Sequence, residues 1–187
     1  MRKQSPRSED PIQAVIDSII LASDLDALHL SLSQLSHLLQ EGELELFLEQ
    51  PNKSHAQKEA YLSKVIETVT SHPLRQELAK QLASSNLEFF SASTLGDFLA
   101  TLRTKAEKVE IVRLTVAIAF KPADLTKMVT LLAEQLGQPV ALDVSVDHSL
   151  IGGVIIQYGA RVWDSSLKSR LTTFRANWER AVASTTK

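Results

Sequence analysis

The stretch Leu142–Leu171 constrains the fold more than any other part of the chain. Just before and into it, Val140, Leu142, Val144 and Val146 alternate with smaller or polar residues, the period-two pattern of a half-buried strand. Asp147–Gly153 turns the chain and holds the pair Gly152–Gly153. Val154–Tyr158 is apolar and β-branched, Gly159–Ala160 makes a tighter turn, and Val162–Trp163 reads as a short third strand. Strands joined by turns this short are expected to be adjacent and antiparallel, because a parallel return requires a crossover of about a dozen residues or more. The stretch therefore reads as a β-meander. Asp164 or Ser165 can cap the helix that follows, since a short side-chain oxygen accepts from the free N–H groups of a first helical turn.

Upstream the periodicity is helical. Pro11 suits a first helical position after Asp10, and Ile12, Val15, Ile16, Ile19 and Ile20 mark one helix face. Leu25, Leu28, Leu32, Leu35 and Leu39 form a second stripe, with Asp24 as its candidate cap and Gly42 as its stop. Leu44–Gln50 reads as a short helix ended by Pro51, and Ser54 with Gln57 makes a capping box for the next. Pro73 restarts the chain for a helix carrying Leu74, Leu78 and Leu82. Ser91 or Ser93 opens a sixth, with Leu95, Phe98, Leu99 and Leu102 inward. Six short helices with short connections predict an antiparallel bundle over residues 1–104, behind a basic segment 1–9 that reads as a disordered tail.

The charged run Arg103–Glu110 is expected to continue the sixth helix into a linker. Val112–Phe120 alternates as a strand, and Pro122 starts a helix through Leu125, Met128, Val129, Leu132 and Leu136 that Gly137 ends. The expected class is mixed: an N-terminal six-helix bundle, then a small α+β domain over 105–187 with a β-meander and two helices. Residues 1–104 carry 9 Lys/Arg against 14 Asp/Glu, and residues 105–187 carry 11 against 8. This asymmetry suits two domains facing different partners, but so small a basic surplus is not the footprint of a nucleic-acid binder. No apolar run reaches the roughly 20 residues that span a bilayer. With no cysteine, thiolate metal sites and disulfides are excluded.

The same stretch resembles the delta subunit of the F-type ATP synthase, the oligomycin-sensitivity-conferring protein family. The resemblance rests on Asp147, Ser149, Leu150, Ile151, Gly152, Gly153, Val154, Gly159, Val162, Asp164, Ser166, Arg170 and Leu171. His148 stands where that family usually has proline. Phe47-Leu-Glu-Gln-Pro51 with Lys58 is a second landmark, whereas the family's usual Tyr-Ala-x-Ala-Leu-Phe opening is replaced by Ile12-Gln-Ala-Val-Ile-Asp17. The resemblance implies a stator subunit without catalytic residues or cofactor. It would be present once per complex, peripheral on the cytoplasmic face of a bacterial inner membrane, with no inserted segment and no nucleic acid. The N-terminal bundle would bind N-terminal segments of the alpha subunits, and the C-terminal domain the b subunits of the peripheral stalk. Ile12, Ile16 and Ile19 with Leu74 and Leu78 are candidates to line the alpha-subunit groove, although the same residues also suit a plain core. A helical adaptor or regulatory protein sharing the C-terminal domain is the alternative.

The chemistry-bearing patterns read as structural. Gly152–Gly153 has no following Lys-Ser/Thr and opens no helix, so it is not a phosphate loop. Asp147-His148-Ser149 has the residue types of a hydrolytic triad, but consecutive side chains diverge where a triad must converge. His29 and His37 are too far apart along one helix to share a metal. Glu41, Glu43, Glu45 and Glu49 read as a solvated face.

Overall fold

The computed structural model describes residues 10–84 and 87–185, so segment 1–9, expected above to be a disordered tail, lies outside the described residues. The chain divides into two compact units, Met1–Val109 and Glu110–Lys187. The division falls beyond Thr104, because the last helix of the first unit runs on to Ala106 and Val109 is itself buried.

The first unit holds α1 (Pro11–Asp17), α2 (Ala22–Gln40), α3 (Glu43–Leu48), α4 (His55–Val69), α5 (His72–Ala83) and α6 (Ala92–Ala106), with a 3-10 turn at Leu87–Phe90. Each start has a local cause. Asp10 accepts from the Ile12 N–H, Ser54 and Gln57 form a reciprocal box (2.9 and 3.3 Å), and Ser91 accepts from the Thr94 N–H. Gly42, at φ 70°, separates α2 from α3, a backbone geometry that glycine adopts without a Cβ penalty. Two expectations shift. α1 stops at Asp17, where the Ser18 hydroxyl turns back to the Val15 carbonyl, so Ile19 and Ile20 lie in the connection rather than on the helix. Asp24 caps from inside α2, its carboxylate accepting from the Leu21 N–H at 2.9 Å.

The core of this unit is aliphatic. Leu25, Leu28, Leu32 and Leu35 of α2 pack with Leu62 and Ile66 of α4, Leu74 and Leu78 of α5, and Leu95, Leu99 and Leu102 of α6. Each fully buried leucine contributes roughly 1.5–3 kcal/mol relative to exposure. α1 packs on α5 and α6 through Val15 and Ile16.

The second unit holds β1 (Glu110–Val116), α7 (Pro122–Leu136), β2 (Val140–Val146), β3 (Val154–Tyr158), β4 (Arg161–Asp164) and α8 (Leu167–Thr185), with a 3-10 turn at His148–Leu150. The sheet order is β2-β1-β3-β4. This corrects the expected meander. β1 lies between β2 and β3, pairing parallel with β2 (Val112 opposite Leu142) and antiparallel with β3 (Leu114 opposite Ile156). α7 supplies the crossover that a parallel pair requires. Residues 147–153 do not form a hairpin. They pass across the end of β1, where the Asp147 N–H donates to the Val116 carbonyl at 2.8 Å. Only β3 and β4 make a two-residue hairpin, through Gly159 at φ 55°.

Side chains of alternate parity take opposite faces of this sheet. Val112, Leu114, Val116 and Leu142 share one buried face, while Arg113, Thr115, Asp143 and Ser145 share the other. On the polar face Arg113 meets Asp143 at 3.4 Å and Thr115 meets Ser145 at 3.2 Å. α7 packs against β2 with Leu125, Met128, Val129 and Leu132 half-buried.

Candidate functional site

Asp147, Leu150, Gly152, Gly153, Val154 and Asp164 come together at one junction in the second unit, whereas Gly159 lies at the far end of β3 in the hairpin to β4. Leu150 is buried and anchors the turn from below. Gly153, at φ 85°, passes directly beneath the backbone that leads into α8. A Cβ there would fall inside the contact radius of the Ser165 carbonyl oxygen and 3.0 Å from Ser166 Cα. Gly152 faces Leu167, whose Cδ1 would lie 2.8 Å from an added Cβ, and the Gly152 carbonyl accepts from the Leu167 N–H at 2.9 Å. The Val154 carbonyl accepts from the Ser165 N–H at 3.0 Å. The glycine pair thus clamps the start of α8 against the start of β3.

Two aspartates close the clamp. Asp147 accepts from the Ser149 hydroxyl (3.0 Å) and N–H (2.8 Å), and these bonds lower its pKa below the usual carboxylate value, with Lys168 assisting. Asp164 accepts from the Ser166 N–H at 2.8 Å, and bonds from Ser166 lower its pKa likewise. The helix cap itself is Ser166, buried, whose hydroxyl accepts from the Ser169 N–H at 3.2 Å. The sequence reading named Asp164 and Ser165 and missed Ser166, although Ser166–Ser169 spacing is a capping signal.

Asp147, His148 and Ser149 do not converge. The His148 ring turns to the Ala117 carbonyl (Nδ1 to O 2.9 Å), tying the turn to the end of β1, while Ser149 bonds Asp147 and receives Lys168 at 3.1 Å. In the first unit, His37 and His55 each sit one turn from a glutamate, at 3.2 and 3.3 Å. Among the described residues no three His, Cys, Asp or Glu side chains group to hold a metal.

The five candidate alpha-subunit contacts divide. Ile16, Ile19, Leu74 and Leu78 are buried at the seam of α1 with α5 and offer no surface, while Ile12 is half-buried. Apolar periodicity marks a buried face and cannot separate a groove wall from the core beneath it. An open groove of about 670 Å³ lies instead between α4 and α5, lined by small residues such as Ala56, Ala60, Ser63 and Ala79 with Arg75 at its side.

Among the described residues α8 carries a run of exposed apolar side chains. Leu167, Leu171, Phe174 and Trp178 recur at steps of four, three and four, and all are exposed, Phe174 by 66% and Trp178 by 63%. The two rings stack at 6.5 Å. An exposed apolar stripe of this kind is one mark of an interaction surface. Among the described residues no helix is long and apolar enough to cross a membrane.

Known proteins resemble this chain over most of its length. The family model described as ATP synthase delta (OSCP) subunit matches residues 13–177. The ATP synthase subunit delta of Azorhizobium caulinodans is 28% identical over 155 residues, 82% of this chain and 83% of its own length. That of Heliobacterium modesticaldum is 25% identical over 163 residues, covering 87% and 88%. That of Xylella fastidiosa strain M12 reaches 41%, but over only 76 residues, 41% of this chain and 43% of its own. The match spans both compact units, and so the chain belongs to the ATP synthase delta (OSCP) subunit family.

Proposed function

We propose that this chain is a non-catalytic stator subunit of an F-type ATP synthase, holding the catalytic head to the peripheral stalk. Family membership over residues 13–177 carries this reading. The physical requirement is torque balance. A rotating central shaft drags the head with it unless the head is tied to the membrane-bound stator. A tether needs extensive interfaces and no reacting group, and the two separately packed units suit a protein with two partners.

In this reading the first unit binds N-terminal segments of the alpha subunits on its α1–α5 side, with Ile12 the accessible member of the candidate set. The second unit binds the b subunits. The chain is peripheral, on the cytoplasmic face of a bacterial inner membrane, one copy per complex. An affinity-tagged chain drawn from mildly solubilised membranes should bring down alpha and b subunits together. Recovery of neither partner under conditions that preserve the complex would overturn the assignment.

A further inference from the structure

α8 is fixed at its root and bare beyond it. Ser166 caps it, the Gly152 carbonyl holds the Leu167 N–H, and Lys168 reaches Ser149 at 3.1 Å. Its strongest contact with the rest of its unit is with that same turn, His148–Leu150. Over residues 170–180 every side chain is exposed except Ala176, which is half-buried. The side-chain bonds of this stretch close within the helix. Arg175 pairs with Glu179 at 2.8 Å, Arg180 meets Asn177 at 3.0 Å, and Phe174 stacks on Trp178. The hydroxyls of Thr172 and Thr173 turn back to the Lys168 and Ser169 carbonyls at 2.9 and 3.0 Å.

A helix placed this way depends on its own residues. Packing of a buried face supplies most helical stability in proteins, and isolated helices of about 12–15 residues are marginal in water even when rich in alanine. The composition here is poorer than that. Thr172, Thr173 and Asn177 are weak helix formers, and hydroxyl back-bonding weakens a helix further. The ion pair runs from Arg175 to Glu179, the less favourable orientation along a helix, and offsets little of this. We infer that α8 is a conditional helix: beyond its first turn, residues 171–180 open and re-form independently of the sheet, with the clamp at Gly152 and Gly153 as the fixed end. Side chains that stay exposed bury little of the sheet's core, so the sheet keeps its stability when they open. Leu171, Phe174 and Trp178 are thus presented by a segment that is helical only part of the time. The inference stands independently of the stator reading.

The test is amide hydrogen exchange read by mass spectrometry on the full chain. Amides of residues 172–180 should exchange within about tenfold of unstructured-peptide rates, whereas those of β1 and β3 should be slowed by about a thousandfold or more. Thr172→Ala combined with Thr173→Ala should raise the protection of this segment severalfold and leave that of the sheet unchanged. Asn177→Pro should abolish the remaining protection. In a Trp178→Phe background, where Trp163 on β4 reports alone, that same proline should leave the melting temperature within about 2 °C of its parent. Protection of residues 172–180 equal to that of the sheet would overturn the inference. A lowered Trp163 melt in Asn177→Pro would overturn it too, because the sheet would then depend on the distal helix.

Discussion

Replacing Gly153 tests the clamp at the root of α8. The residue combines positive φ (85°) with backbone neighbours that cannot rotate away, the Ser165 carbonyl and Ser166 Cα. Alanine there faces a left-handed penalty of about 1–2 kcal/mol. Relieving the overlap also requires β3 and the α8 start to separate, which strains two bonds: Leu167 N–H to Gly152 and Ser165 N–H to Val154. Each contributes about 1 kcal/mol net, so Gly153→Ala should destabilise the second unit by roughly 3 kcal/mol, and Gly153→Val by more. That corresponds to a fall in melting temperature on the order of 10–20 °C for a domain this small. Both tryptophans, Trp163 and Trp178, belong to this unit, so tryptophan fluorescence follows its unfolding alone. Gly159→Ala is the internal control. It has φ 55° but nothing within 4 Å of an added Cβ, so it should show only the backbone penalty. If Gly153→Ala melts within about 2 °C of wild type, less than 1 kcal/mol has been lost and the clamp is wrong as described.

Other consequences are quicker to check. Gly96 lies within α6 with open space around it, so Gly96→Ala should stabilise the first unit by about 0.5–1 kcal/mol in urea unfolding. Ser54→Ala removes a helix cap and should cost about 1 kcal/mol by the same measurement. Asp147 and Asp164 have lowered pKa values in the folded chain, chiefly through bonds from Ser149 and Ser166. Their contribution is present above the unfolded carboxylate pKa and is lost as pH falls through the lower folded value. The second unit should therefore lose stability below about pH 4, and Asp147→Asn with Asp164→Asn should flatten that acid limb of the fluorescence-detected stability curve. Between the two units limited tryptic cleavage should occur at Lys108, leaving two resistant fragments. A single resistant core spanning it would contradict independent units.

Local signals were legible in the sequence because their physics is local. Ser54 with Gln57, Ser91, Gly42 and Gly137 mark helix ends through bonds or φ values that span a few residues. Strand order was not legible. Alternation in Val140–Val146 and the β-branched apolar run Val154–Tyr158 show that both strands exist, but not that β1 lies between them. That arrangement depends on β1 pairing with residues thirty or more positions away and on the α7 crossover. The fate of apolar faces was hidden for a related reason. Ile16 and Leu78 repeat with the same helical spacing as Leu171 and Phe174, yet the first pair is buried and the second exposed. Periodicity records that a face avoids water, not whether this chain or another covers it.

The central claim is that the chain transmits no chemistry and only holds the head against rotation. The direct measurement is ATP-driven proton pumping by membranes stripped of this subunit, reconstituted with isolated catalytic head, with and without the purified chain. The account predicts that the chain restores head binding and proton pumping together while leaving ATP hydrolysis by the isolated head unchanged. Full pumping without the chain, or a change in hydrolysis by the free head when it is added, would contradict the account.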